Sequence, residues 1–135
     1  MLDRARALIK DVQIGYLATA EGDQPRVRAM SVRVTDEGRI LTATSKESRK
    51  YGQIMANPRV EFCFVSKDWD QLRAEGHLKV VEDQGDKNLF WGLEPALKDY
   101  FKNSTDPNYV LFDFVPTEID LYEARTGEYH QRKTT

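Results

Sequence analysis

Residues 14–45 hold three runs of alternating or apolar character, IGYLATAEG, VRAMSVRVT and RILTAT, separated only by the turn segments GDQP (22–25) and DEG (36–38). Glycine, proline and acidic residues in such short links mark tight turns, and links this short cannot carry a parallel crossover. The three runs are therefore consecutive antiparallel strands. Three further runs follow: VEFCFVS, then QLRAEGHLKVVED with Gly76 marking a bulge or bend, then YVLFDFVPTEIDLYEA, bent at Val115–Pro116. Helical spacing is confined to 2–12, to 46–56 ending at Asn57–Pro58, and to 85–102. In the last of these Gly92 and Pro95 divide the stretch into two short helices or one broken helix. The segment GEYHQRKTT is polar, and a frayed tail is expected there. Six short strands in largely hairpin order, with few helices, predict a mainly β chain folded as a small antiparallel barrel.

At 135 residues the chain is expected to form one domain over 1–135. Its net charge of −2 gives no general attraction for nucleic acid, so any anion site must be a local concentration of charge. Cys63, the single cysteine, sits in VEFCFV as a small hydrophobe without a basic neighbour in the strand other than Arg59. That usage fits a reducing, cytoplasmic compartment. MLDRARALIKDV is charged and amphipathic rather than a signal peptide, and no run is long enough to span a membrane.

The local concentration of charge is TSKESRKYGQIMANPRV, 44–60. Thr44 and Glu47 have the T-x-x-E spacing of a capping box, which predicts a capped surface helix. The same helix start presents free N–H groups and a partial positive charge, suited to an anion. The strand RVRAMSVRV adds Arg26 and Arg28 on one face and Arg33 on the other. Alone it reads as a solvated basic strand; hairpin-linked to RILTAT, it brings Arg28 or Arg33 towards Lys50 as a two-cation grip on one phosphate.

SRKYGQIMANPRV resembles the S-R-K-x-x-Q-I-x-x-N-P-R-V segment of pyridoxamine 5′-phosphate oxidases and their FMN-binding split-barrel relatives, and RAMSVR resembles that family's upstream basic stretch. Gln71, five residues before Gly76, is placed like a flavin-contacting glutamine of the family. The order of elements agrees over roughly 12–122. The resemblance implies an FMN-binding split β-barrel, antiparallel, Greek-key-like and six-stranded, with FMN as cofactor at the interface of a homodimer. It implies a phosphate held by Arg28, Arg33, Arg49 and Lys50 with hydroxyls from Thr44 and Ser48. Ala29, Met30 and Ser31 would run along the isoalloxazine, and Gln71 would face the ring. Trp91 and Tyr100 are candidates for the partner side.

The family's vitamin-B6 oxidases carry a C-terminal tryptophan- and arginine-bearing segment that grips pyridoxal phosphate, and EYHQRKTT does not resemble it. The expectation is an oxidoreductase acting on another small molecule, with a nicotinamide donor as one source of electrons. The alternative is a carrier without turnover, holding flavin, deazaflavin or haem. No catalytic acid or base stands out. His77 and His130 lack metal-ligand spacing, so no protein-built metal site is expected, although a haem branch of the family makes His130 an axial-ligand candidate. A nucleic-acid surface is disfavoured because no aromatics interleave the bases.

Overall fold

The computed structural model describes residues 2–133. In chain order the elements are α1 (Leu2–Val12), β1 (Ile14–Glu21), β2 (Gln24–Val34), β3 (Ile40–Ser45), α2 (Arg49–Ala56), β4 (Arg59–Val65), β5 (Gln71–Val81), α3 (Gln84–Leu93), the 3-10 helix η1 (Pro95–Asp99), β6 (Tyr109–Glu123) and β7 (Glu128–Lys133). The sheet order is β3-β2-β1-β4-β5-β6-β7, antiparallel at each junction, and β3 also pairs with β6. That last pairing closes the first six strands into a barrel. Strands β1–β3 are hairpin-linked and β4 returns beside β1, which is the Greek-key order. Its long connection is α2.

The wall is thin where this return is made. β4 meets β1 only through Tyr16–Cys63, Leu17–Phe62 and Ala18–Glu61, whereas β1 pairs with β2 from Ile14 to Glu21. Helix α2 braces the weak junction, with Thr19 Oγ1 donating to Gln53 Oε1 at 3.0 Å. Inside the barrel, Leu17, Val32, Phe62, Phe64, Leu72 and Phe112 have no solvent exposure. Each contributes roughly 1.5–3 kcal/mol relative to an exposed position. Helix α1 adds Ala5 and Ile9 to the same core.

A second cluster explains the unbroken apolar run at the start of β6. Val110, Phe112 and Phe114 belong to the barrel interior, while the alternate residues Tyr109 and Leu111 pack outward against Leu41, Phe90, Leu97 and Phe101. The strand is covered on both faces, so neither face reads as polar. Gly76 sits at a register shift opposite Pro116, and a Cβ there would lie 2.2 Å from the Val115 carbonyl oxygen. The bulge anticipated at Gly76 thus exists because β6 crosses too closely for any side chain.

Three expectations need correction. Helix α2 begins at Arg49 rather than 46, and its cap is Ser48, whose hydroxyl accepts from Tyr51 N at 3.3 Å. Thr44 cannot cap it because Thr44 is still in β3, paired with Val110. The stretch 85–102, by contrast, divides as expected into two short helices, α3 and η1, at Glu94–Pro95. Finally, the supposed frayed tail contains β7. The fifteen-residue β6 has β5 on one edge, but β3 covers the other only from Tyr109 to Phe114, and β7 occupies the remaining edge from Glu118 to Glu123. The last residues of GEYHQRKTT, 134 and 135, lie outside the described residues.

Candidate functional site

Two adjoining cavities flank the start of α2. The first, about 350 Å³, is lined by Arg26, Val27, Arg28, Ser48, Arg49, Lys50 and Gln53. No carboxylate lines it. Arg26 is engaged by Glu21 at 3.1 Å, whereas among the described residues Arg28, Arg49 and Lys50 have no ion-pair partner. Burial, reinforced by Arg28, holds the Lys50 ammonium below its usual pKa. Burial and then Arg26 act in the same direction on Arg28. Cations that have lost water and face one another are stabilised by an arriving anion.

Arg28 is held in place by neutral groups. Nη1 donates to the Leu17 carbonyl at 3.1 Å and Nη2 to Gln53 Oε1, whose side chain is buried. The hydroxyls at the helix start are also committed. Ser48 Oγ donates to the Ser45 carbonyl at 2.8 Å, which makes Thr44 Oγ1 the donor in its 2.8 Å bond to Ser48 Oγ. They shape the helix start before they can serve a ligand.

The second cavity, about 330 Å³, shares Ser48 and Lys50 with the first. Ala29, Met30 and Ser31 of β2 and Ala43, Thr44 and Ser45 of β3 form one side. Phe90, Glu94, Ala96, Leu97, Tyr100 and Phe101, from α3, η1 and the residues just after, form the other. A cationic end therefore opens into a slot with apolar and aromatic walls.

Of the ten residues singled out from the sequence, eight line these two cavities: Arg28, Ala29, Met30, Ser31, Thr44, Ser48, Arg49 and Lys50. Arg33 lies on the other face of β2, ion-paired to Glu94 and donating to the carbonyls of Leu93 and Gln13, each at 3.3 Å. Gln71 pairs with Tyr122, at the end of β6 opposite to the Val110 that pairs with Thr44. Within one chain it stands apart from the cavities. Tyr100 lines the slot and is 77% exposed, while Trp91 packs against Tyr109 in the second cluster. Two site residues escaped notice in the sequence. Gln53 is the glutamine of the S-R-K-x-x-Q pattern, three positions after Lys50, so its signal was present. Glu94 had none, being an ordinary glutamate before a proline.

His77 sits within β5, opposite Arg59 and Val115. His130 lies on β7 with Nε2 3.3 Å from Glu123 Oε1, and the ligand atoms of Glu123, Glu128 and His130 fall within 4.8 Å of one another. Arg4 already pairs with Glu123. No helix among the described residues is long and apolar enough to cross a membrane.

A family model described as pyridoxamine 5′-phosphate oxidase matches residues 1–123. General stress protein 26 of Bacillus subtilis (strain 168) is 29% identical over 117 residues, covering 83% of this chain and 81% of the relative. A solved NimC/NimA family protein of Clostridium acetobutylicum superposes with a TM-score of 0.84 at 27% identity, over 96% of this chain and 90% of its own. A pyridoxamine 5′-phosphate oxidase-related, FMN-binding protein of Nostoc punctiforme shares the fold with a TM-score of 0.73 at 18% identity, over 98% of this chain and 95% of its own. The cationic pocket at the start of α2 and the barrel that carries it thus belong to a chain of the pyridoxamine 5′-phosphate oxidase family.

Proposed function

We propose that the protein binds FMN, with the phosphate against Arg28, Arg49 and Lys50 and the ring system in the slot between β2–β3 and η1. The observation that carries this reading is the acid-free pocket of three cations, without ion-pair partners among the described residues, that opens through Ser48 and Lys50 into an aromatic-walled cavity. The donor set fits a phosphate dianion, since Arg28 offers a planar guanidinium and Lys50 a point charge that is already short of solvent. The amides of the first turn of α2 add to it. A bound flavin supplies redox chemistry of its own; these residues bind it, orient it and keep water from the ring.

The protein acts on this reading as an oxidoreductase on a small molecule, working as a homodimer in the cytoplasm, where the half-buried free thiol of Cys63 stays reduced. The outer face of the β1–β2 hairpin supports a second copy. Ile14, Tyr16 and Ala18 lie opposite Ser31, Ala29 and Val27, and Ile14, Tyr16 and Val27 are exposed. That apolar face continues directly into the slot, since Ala29 and Ser31 line it. A partner seated there would close the cavity, and Gln71 could reach the ring only from such a partner.

A visible spectrum of the purified protein, followed by titration with FMN, tests the cofactor. Flavin bands with saturable binding support it, and absence of binding overturns it. Anaerobic reduction by NADH or NADPH followed by reoxidation with an added acceptor then separates an oxidoreductase from a carrier.

A further inference from the structure

The α3–η1 junction is held by one side chain. Glu94 ends α3, with its N–H donating to the Phe90 carbonyl at 3.0 Å, and begins η1, with Oε1 accepting from Ala96 N at 3.3 Å. Pro95 has no N–H and cannot continue α3, so the chain must turn here. Arg33 grips the turn twice, through the Glu94 carboxylate and through the Leu93 carbonyl. This is the most enclosed ion pair among the described residues, with side chains 15% and 8% exposed. Removal of one partner leaves a buried charge uncompensated. Beyond the turn come Leu97, Tyr100 and Phe101, which form the outer wall of the slot.

We propose that Glu94 is a positioning residue: clamped by Arg33, it fixes the elbow between α3 and η1, so that Leu97, Tyr100 and Phe101 wall a slot for a planar fused-ring ligand. This rests on the flavin reading above. Because Glu94 neutralises Arg33 on the far face of β2, the pair serves the ring end of the ligand and not its phosphate. Its loss therefore acts on the ring and leaves the cationic pocket as it is.

FMN and riboflavin separate these terms, since riboflavin lacks the phosphate. Glu94→Ala is expected to weaken both by a similar factor, about tenfold, leaving the FMN-to-riboflavin affinity ratio within about twofold of wild type. Amide exchange over 93–101 is expected to speed up in the ligand-free variant while the barrel strands keep their protection. Should Glu94→Ala fail to fold, Glu94→Gln carries the test. It keeps an oxygen for Ala96 but loses the charge, and a smaller equal loss for both flavins with faster elbow exchange is expected. Unchanged affinity for both flavins, or a loss confined to FMN, overturns the role of Glu94. Wild-type protein that binds neither flavin overturns the cofactor reading, and with it the ligand class named here; the two failures are told apart by the wild-type titration.

Discussion

Arg28 reaches across from β2 to the buried carboxamide oxygen of Gln53 on α2, and the same oxygen accepts from Thr19 on β1. One atom thus ties the basic strand to the helix that carries Arg49 and Lys50. Gln53→Leu removes that acceptor and leaves the Thr19 hydroxyl and one Arg28 donor unsatisfied. A stability loss of about 1–3 kcal/mol is expected in urea unfolding, together with about tenfold weaker FMN binding. Unchanged FMN affinity would show that Arg28 needs no such anchor.

Arg49 is exposed and Lys50 half-buried, and neither is in the apolar core. The double substitution Arg49→Ala and Lys50→Ala is expected to leave the circular dichroism spectrum intact while lowering FMN affinity by about a hundredfold or more. Riboflavin affinity should barely move. Equal losses for the two flavins would place the phosphate elsewhere.

Lys50 also sets a pH dependence. Its pKa is lowered in the ligand-free protein by burial and by Arg28, and a phosphate partner favours the charged form and raises it. Binding then takes up a proton between the two values. Affinity is complete below the lowered ligand-free pKa and is lost as pH rises towards the bound one. Above about pH 7 the phosphate is essentially a dianion, so an alkaline fall in FMN affinity, absent in Lys50→Gln, is expected from titrations across pH.

Gly76→Ala tests the bulge. The new Cβ would meet the Val115 carbonyl oxygen at 2.2 Å, which cannot yield without moving β6, and the buried Phe114 ring at 2.8 Å. A loss of about 2 kcal/mol or more is expected in thermal or urea unfolding.

Local features were legible in the sequence. The two hairpins and the break at Asn57–Pro58 depend on residues within a few positions of themselves, and the bulge against β6 is marked by the glycine it requires. What escaped depends on distant pairing. Ser48 caps α2 instead of Thr44 because β6 extends β3 as far as Ser45. β7 forms because β6 has an open edge, not because EYHQRK alternates. The same holds within the site. Arg49 and Lys50 were visible as charges at one helix start, with Arg28 or Arg33 brought towards them by the hairpin, but the Glu94 that claims Arg33 is contributed by an element remote in sequence.

The seam between β3 and β6 ends at Thr44–Val110 and Ser45–Tyr109, and Thr44 and Ser45 line the slot. Anything bound there sits at the end of the zipper that shuts the barrel. Filling the slot is expected to keep the last teeth of that zipper fastened. Slower amide exchange at Thr44, Ser45, Tyr109 and Val110 when ligand is bound would measure that fastening.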